Sequence, residues 1–449
     1  MDVKKTFGRT LLLAAIFGAA SITMADEDSG FISTDSSAAP AAVEAVDTDV
    51  PTAAPAESAK SDVVANIVHH DTIQAWDIIE LSGFVNGGAV LNTHGTYYNM
   101  VGCNSDRDFQ LNTAYLRAVK QAQTGRGALD WGFGVDTLFG SEGHLFRGYT
   151  GLDSDWGTGH RSANYNDNPL VGELSDRDRE NYAFAMPQLY GEFSVNNWKF
   201  KAGHFYGLMG YEGPGDKRFF YTYGRGFEMT PVTHTGAIAT FSGIQNLDLS
   251  VGWVMGENNT FSRGYDESLI TGAARLYNGD WLSLKYAFIV GDGAMGGTSG
   301  DLFRNDVVLT ANYGNCWETA FLFNAGKFEG ESPAGTWGSS ASLNDLAQMY
   351  GSLKYQTWGG FLYYTLNQNW KVGTRGEWQR GKAEGNAMEI LEFTVGANWT
   401  PTGYDNFIVR PEIRYDKALL PQDEYKGMFG NALSHDDQFT LACDVIYKF

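Results

Sequence analysis

After residue 77 the chain breaks into segments of about ten residues in which apolar and polar side chains alternate, separated by gaps that are short and long by turns. Period-two alternation gives each segment one apolar face and one wet face. Leu129, Trp131, Phe133 and Val135 alternate with Asp130, Gly132, Gly134 and Asp136, and Leu247, Leu249, Val251 and Trp253 alternate with Asp248, Ser250 and Gly252. In 407–416, slipping the register by one would turn Arg410, Glu412, Arg414 and Asp416 into the apolar phase. If that phase is the middle of a bilayer, each basic residue there costs about 2–4 kcal/mol, so the faces are fixed.

The short gaps are 124–127, 196–197, 244–246, 278–280, 314–315, 367–369 and 402–406, rich in the Gly and Asn that supply positive φ in tight hairpins. The long gaps fall near 93–108, 141–181, 208–232, 256–267, 291–302, 327–348, 380–388 and 417–436. Together they predict sixteen strands, and an even count puts both termini on one side. The expected fold is all-β: a transmembrane antiparallel up-and-down β-barrel over 78–449, preceded by a signal peptide and a disordered linker. The 55 Gly, 11 Pro and 14% aromatic residues suit many strands and tight turns.

Lys4, Lys5 and Arg9 precede an apolar run over 11–22 and a small-residue site ending at Ala25, the pattern of a secretory signal over 1–25. Residues 26–77 are rich in Ala, Pro and acid, with too little apolar surface to offset chain entropy, and are expected to be a disordered linker. No later segment offers the roughly 20 apolar residues of a spanning helix. The last strand places Phe439, Leu441, Cys443, Val445, Tyr447 and Phe449 on one face and Thr440, Asp444 and Lys448 on the other. Tyr447 and Phe449 are read as the membrane-insertion signal that the barrel assembly machinery would recognise. The address is the outer membrane of a Gram-negative-type envelope, with its lipid as a partner. Trp198, Trp317, Trp370 and Trp399 sit beside short turns on the apolar face, as an inner aromatic girdle would; Trp281 has the wrong parity.

A net charge of −21 argues against nucleic acid as a partner. Cys103, Cys316 and Cys443 fall in an outer loop, by an inner turn and on the lipid face, so no internal disulfide is expected. A catalytic reading has little support: His69-His70-Asp71 lies in the linker, and no Ser or Cys stands near a His with a placed carboxylate. No enzyme activity or cofactor is expected. The second long loop carries Asp153, Asp155, Asp167, Asp176 and Asp178, yet without EF-hand spacing, so no metal site is assigned. His234 reads as structural.

Several stretches carry a resemblance: 81–88 (LSGFVNGG), 109–116 (FQLNTAYL), 201–207 (KAGHFYG), 231–236 (PVTHTG), 410–416 (RPEIRYD) and 437–441 (DQFTL). In this order they resemble the beta-barrel porin-2 family, also described as OmpL-like, from about residue 78 to the C-terminus. The Thr233-His-Thr-Gly236 element with its preceding aromatic and basic loop is the more specific part; the chain has Val232 where Phe would be expected beside it. The resemblance implies an outer-membrane channel and brings no binding residues to carry over.

By parity the lumen receives Lys371, Arg375, Arg410 and Arg414 together with Glu377, Glu392, Glu412, Asp416 and Asp444. Basic and acidic rows on opposite walls would set up a transverse field; interleaved, they would pair and hydrate the wall. The third long loop, 208–232, holds Lys217, Arg218 and Arg225 among Phe219, Phe220, Tyr221 and Tyr223. It is expected either to fold into the bore or to lie over the rim. Lys217, Arg218, Arg225, Arg410 and Arg414 are the candidate constriction, with Lys371, Arg375, Glu377, Glu412 and Asp416 lining the pore beside them. The function expected is passive diffusion of small hydrophilic solutes or ions through a water-filled barrel, with a homotrimer as one possible assembly. The alternative is a structural or surface-interaction barrel with a plugged or narrow lumen.

Overall fold

The computed structural model describes residues 79–94, 109–125, 129–154, 182–264, 266–295, 298–330, 343, 347, 350–384, 386–420, 428–429 and 434–449. The signal peptide and linker expected over 1–77 lie outside these residues, as do Cys103, Asp155, Asp167, Asp176 and Asp178. Sixteen long strands form one closed sheet. They are β1 (Glu80–Asn92), β2 (Phe109–Lys120), β3 (Asp130–Gly140), β4 (Ala183–Val195), β5 (Trp198–Tyr206), β6 (Thr233–Ile244), β7 (Leu247–Val254) and β8 (Ser268–Asn278). The second half comprises β9 (Leu282–Met295), β10 (Thr298–Tyr313), β11 (Trp317–Gly330), β12 (Ser352–Asn367), β13 (Trp370–Ala383), β14 (Asn386–Trp399), β15 (Phe407–Leu420) and β16 (Asp437–Lys448).

Each strand pairs antiparallel with the next, and β16 closes on β1 from Phe84↔Lys448 to Asn92↔Thr440. Closure leaves no sheet edge, which is what a spanning sheet needs when lipid can satisfy no backbone group. The seam extends to the last residue, where Gly83 and Phe449 exchange N–H to C=O bonds of 2.9 Å each way. Tight inner turns use positive φ at Asn196, Asn246, Gly279, Gly314 and Gly403. Trp281 lies in the turn itself, because β9 starts at Leu282, and this removes its parity conflict.

Two gaps expected to be long are tight. The β9–β10 ladder continues through Asp292↔Asp301 to Met295↔Thr298, and β13–β14 continues to Ala383↔Asn386. These strand ends carry no lipid-facing alternation, so backbone pairing extends them without the side-chain pattern that marks the membrane-spanning part.

The outward faces are apolar and exposed, with Trp131, Ile413 and Leu441 all above 50% accessible. Trp198, Trp317, Trp370 and Trp399 lie exposed beside the short turns, and Trp370 stacks on Trp399 with centroids 5.8 Å apart. Cys316 and Cys443 are free and exposed.

The inward faces differ from the expected wet wall. Away from the short turns, Val254, Leu269, Ile289, Leu302, Phe328, Leu353 and Ile390 point into the barrel and are buried. They pack on Leu208, Met209 and Met229 of the third loop, on Leu343 and Ala347 after β11, and on Met428 and Phe429 after β15. Apolar loop residues, not water, meet this part of the wall. Burial of each such side chain stabilises by roughly 1.5–3 kcal/mol.

On the outside, Thr150–Gly151 pairs parallel with Asn259–Thr260. The Asp153 carboxylate accepts from the backbone N–H of Gly148 (2.9 Å) and Met186 (3.0 Å), so it ties this second loop to β4. Thr235 donates to the Asn259 carbonyl at 2.8 Å, and His234 Nδ1 meets the Gly256 carbonyl at 2.8 Å, consistent with a structural histidine. Glu267 closes the clasp by accepting from Asn259 and from the Ala294 N–H (3.0 Å). Burial, and then the neighbouring Glu257 carboxylate, push its pKa up to about 7.

Two outcomes follow from this arrangement. Ile413→Arg, in the middle of a lipid-facing row, should lower the free energy of refolding into lipid vesicles by about 2–4 kcal/mol in urea titrations; an unchanged midpoint would mean the face is misassigned. The second concerns pH. A carboxyl whose folded pKa is raised binds its proton more tightly when folded, so its contribution weakens as pH rises from the ordinary carboxyl range through about 7. Amide exchange at Asn259 and Thr260, corrected for intrinsic rate, should be faster at pH 8 than at pH 5, and Glu267→Gln should flatten that difference.

Candidate functional site

Strand β5 ends at Tyr206 and β6 begins at Thr233, and the intervening third loop folds into the barrel, not over its rim. Its first contact is with the wall at β9 and β10, where Lys285 donates to the Gly210 carbonyl (2.8 Å) and the Gly210 N–H donates to Asp306 (3.0 Å). The Tyr211 ring then packs on Phe361 of β12, with centroids 4.8 Å apart. A short 3-10 turn, Gly215–Lys217, follows Pro214 and packs on β1; the Gly215 Cα faces the Phe84 ring, where a Cβ would overlap it. The chain crosses back through residues 218–224, makes one helical turn at Arg225–Glu228 and returns to the wall.

What holds the crossing is a two-way reading of its backbone by charged side chains. Glu412 accepts from the N–H of Tyr221 (2.6 Å) and Thr222 (3.2 Å) and from the Thr222 hydroxyl (2.5 Å). Glu212 accepts from the Gly224 N–H at 2.6 Å, and Glu377 accepts from the N–H groups of Arg225 and Gly226. The arginines take the carbonyls. Arg375 donates to Thr222 O (2.9 Å), Arg414 to Tyr223 O (2.6 Å), and Arg410 to Gly215 O (2.9 Å) and Arg218 O (2.8 Å).

The charges also pair with each other. Arg375 meets Glu212 at 2.9 Å and Glu392 at 3.2 Å; Arg414 and Arg225 converge on Asp416 at 2.9 and 2.6 Å; Arg410 meets Asp444 at 2.5 Å; and Arg218 pairs with Glu142. All five arginines are at most 5% exposed, so each is a buried cation that needs its partners. The ladder follows from the strand itself, since Arg410, Glu412, Arg414 and Asp416 are alternate residues and so rise on one face at roughly 6.8 Å intervals. Gly224 and Gly226 let the loop come this close, because a Cβ at either would overlap Glu377 or Leu322.

Eight of the ten candidate pore residues therefore grip or belong to the crossing of the third loop: Arg218, Arg225, Arg375, Glu377, Arg410, Glu412, Arg414 and Asp416. Lys371 instead pairs with Glu318 at 2.7 Å near an inner turn, and Lys217 is half-buried on the short turn. Acids and bases do not occupy opposite walls. They alternate on the same strands and pair, so the transverse field that segregated rows would make does not arise. Sequence reasoning does not reach Glu142 and Glu212 as partners; Glu212 lies in the same loop as Arg218 and Arg225, and that proximity is the one signal that could have found it.

The family described as "Putative beta-barrel porin-2, OmpL-like" matches residues 78–449. No curated protein sequence matches the chain. Among solved structures, an anion-selective porin from Comamonas acidovorans is 12% identical with TM-score 0.51, covering 83% of this chain and 99% of that one. OmpF of Salmonella typhi in complex with daunomycin is 11% identical with TM-score 0.49, covering 83% of this chain and 97% of that one. OmpT of Vibrio cholerae is 10% identical with TM-score 0.48, over 83% and 97%.

The network ranks its members. Arg375→Ala would leave Glu212, Glu377 and Glu392 buried around an empty position and should cost about 3–5 kcal/mol in urea refolding. Lys371→Ala removes a partly exposed pair and should cost at most about 1 kcal/mol. Equal losses at the two sites would show that the crossing is not the buried ionic core described above.

Proposed function

Since the chain belongs to the beta-barrel porin-2, OmpL-like family, we propose that this outer-membrane porin passes small hydrophilic solutes by passive diffusion along a route set by its third loop. It is a channel rather than an enzyme. The observation that carries the route is the loop's crossing of the bore, gripped from β13, β15 and its own Glu212. On this reading Lys217, Arg218, Arg225, Lys371, Arg375, Glu377, Arg410, Glu412, Arg414 and Asp416 form the constriction and its approach. Because the crossing residues are almost fully buried, solute flow requires the loop to yield locally. Loops with alternative hydrogen-bond partners in water can do so on microsecond to millisecond times.

A second reading, a structural barrel with a plugged lumen, is favoured by one feature: the apolar cluster in which Leu343, Ala347, Met428 and Phe429 pack against the inward wall. The two readings divide on conductance. We further propose Tyr447 and Phe449 as the signal read by the barrel assembly machinery, with a homotrimer as one assembly open to the barrel.

Single-channel recording in planar bilayers tests the route. The refolded protein should give discrete openings, and Glu377→Gln with Glu412→Gln, which weakens the grip on four loop N–H groups, should raise mean conductance at least two-fold. A folded, heat-modifiable but silent barrel would favour the plugged reading. Openings indifferent to the double substitution would place the route away from the third loop.

A further inference from the structure

The wall beneath the loop's helical turn carries a strip of polar side chains that holds the loop with only part of its bonding capacity: Asp306 accepts from the Gly210 N–H at 3.0 Å, and Gln379 Nε2 donates to the Arg225 carbonyl at 3.0 Å and to the Thr357 hydroxyl at 3.4 Å. Asp306, Asn324, Thr357 and Gln379 are successive neighbours across β10, β11, β12 and β13, paired as Asp306↔Asn324, Asn324↔Thr357 and Thr357↔Gln379. All four are at most 1% exposed and face inward, since the residues flanking Asn324 in β11, Phe323 and Ala325, are on the outer face. The turn Arg225–Glu228 lies over them. It is held on one side by Glu377 at the Arg225 and Gly226 N–H groups and on the other by Arg304 and Tyr355, which donate to the Met229 carbonyl at 2.7 and 3.3 Å.

The strip is under-used in a specific way. Neither the amide oxygen nor the amide nitrogen of Asn324 has a hydrogen-bond partner among the described residues, and the same holds for Asp306 Oδ1 and Gln379 Oε1. On the loop, Arg225 gives its carbonyl to Gln379 and one guanidinium nitrogen to Asp416, and its Nε and Nη1 have no partner among the described residues. Buried polar groups left unmatched destabilise a fold, so a strip of them is kept where something else makes the bonds. Its centre is uncharged: two carboxamides and a hydroxyl, each able to donate and accept. An ion is served by a ring of one sign, whereas mixed donors and acceptors suit a molecule whose own hydroxyls do both.

We propose that this strip is the hydrogen-bonding track of the permeation route, and that it selects small neutral polyhydroxylated solutes of the monosaccharide and polyol class. The proposal rests on the porin reading above. When the helical turn lifts, Gln379 is released from the Arg225 carbonyl, and Asn324, Thr357 and Gln379 replace the water shed by the solute's hydroxyls.

The experiment compares liposome swelling in arabinose with single-channel conductance in KCl, for the full-length barrel and for Asn324→Leu and Asn324→Ser. Wild-type liposomes should swell. Asn324→Leu should cut the swelling rate at least five-fold while KCl conductance changes less than two-fold, and Asn324→Ser, which keeps a donor and an acceptor, should recover most of the swelling. Swelling unaffected by Asn324→Leu, or flux and conductance falling together in both variants, would overturn the track. A wild-type protein that conducts KCl but does not swell the liposomes would overturn the solute class while leaving the porin reading intact; one that is silent in both assays would overturn the porin reading and the track with it. Heat-modifiability on gels verifies that each variant forms its barrel.

Discussion

Everything inside this barrel depends on one requirement: a charge taken out of water must meet an opposite charge and have its hydrogen bonds satisfied. Five arginines, two of the third loop and three of the strands it crosses, are buried around the crossing, and none could stay there without the carboxylates of β13 to β16, Glu142 and Glu212. The same carboxylates and guanidiniums have capacity beyond one another. They spend it on the loop's peptide groups, which in turn lack the sheet or helix partners they would have elsewhere. The ionic network and the loop therefore complete each other: the loop backbone finishes the hydrogen bonding of the charges, and the charges supply the secondary structure the loop does not have.

That reciprocity explains why the interior is layered. Where the loop's peptide groups meet β13 to β16 the wall is ionic, and where its rings turn to β10 to β12 the wall is apolar, with Phe220 packed among Val308, Ala320, Leu322 and Phe361. Beyond it, on the side away from the short turns, the loop presents Leu208, Met209 and Met229, and the wall answers with Leu269, Ile289, Leu302 and Phe328. An inward apolar residue in a water-filled bore would have nothing to pack against; here loops supply the other half of the core. The two layers are coupled through short stretches of chain, since Met229 lies four residues past Arg225. A displacement of the turn shifts both its ionic grip and its apolar packing. On the proposed route the loop would shift both together, because packed interiors move between discrete arrangements and do not deform continuously.

The barrel was legible because lipid imposes a pattern that nothing else in the chain could produce. The alternation in β3, β7 and β15 and the Gly and Asn turns led to the strand count directly. Strand ends above the membrane were not legible, since at Asp292↔Asp301 and Gly293↔Gly300 only the backbone is paired and the side chains need no period. The site was half legible. Parity alone put Arg410, Glu412, Arg414 and Asp416 on the lumen face, and composition marked the third loop as basic and aromatic. What parity cannot give is which inward charge meets which, because partners such as Arg218 and Glu142 are 76 residues apart and joined only by the loop's path. The apolar inward cluster was hidden for a similar reason: alternation shows that a strand has two faces, yet an inward Ile289 or Leu302 looks like noise until the loop that covers it is in place.

The arginines also bear on what an interior of this kind can select. Isolated on a wet wall, five guanidiniums would draw anions. Each is matched, and the connected carboxylates, Glu142, Glu212, Glu377, Glu392, Glu412, Asp416 and Asp444, outnumber them, so the crossing offers little unspent positive field. Charge at this level is consumed by architecture. Discrimination then passes to groups that architecture leaves with bonding capacity, among them the Asn324 carboxamide and the Gln379 Oε1 between β10 and β13. A channel can hold its gate with ions and still read its solute with neutral hydrogen bonds, since strong buried pairs fix position while weak, two-way donors and acceptors can be exchanged as a molecule moves past.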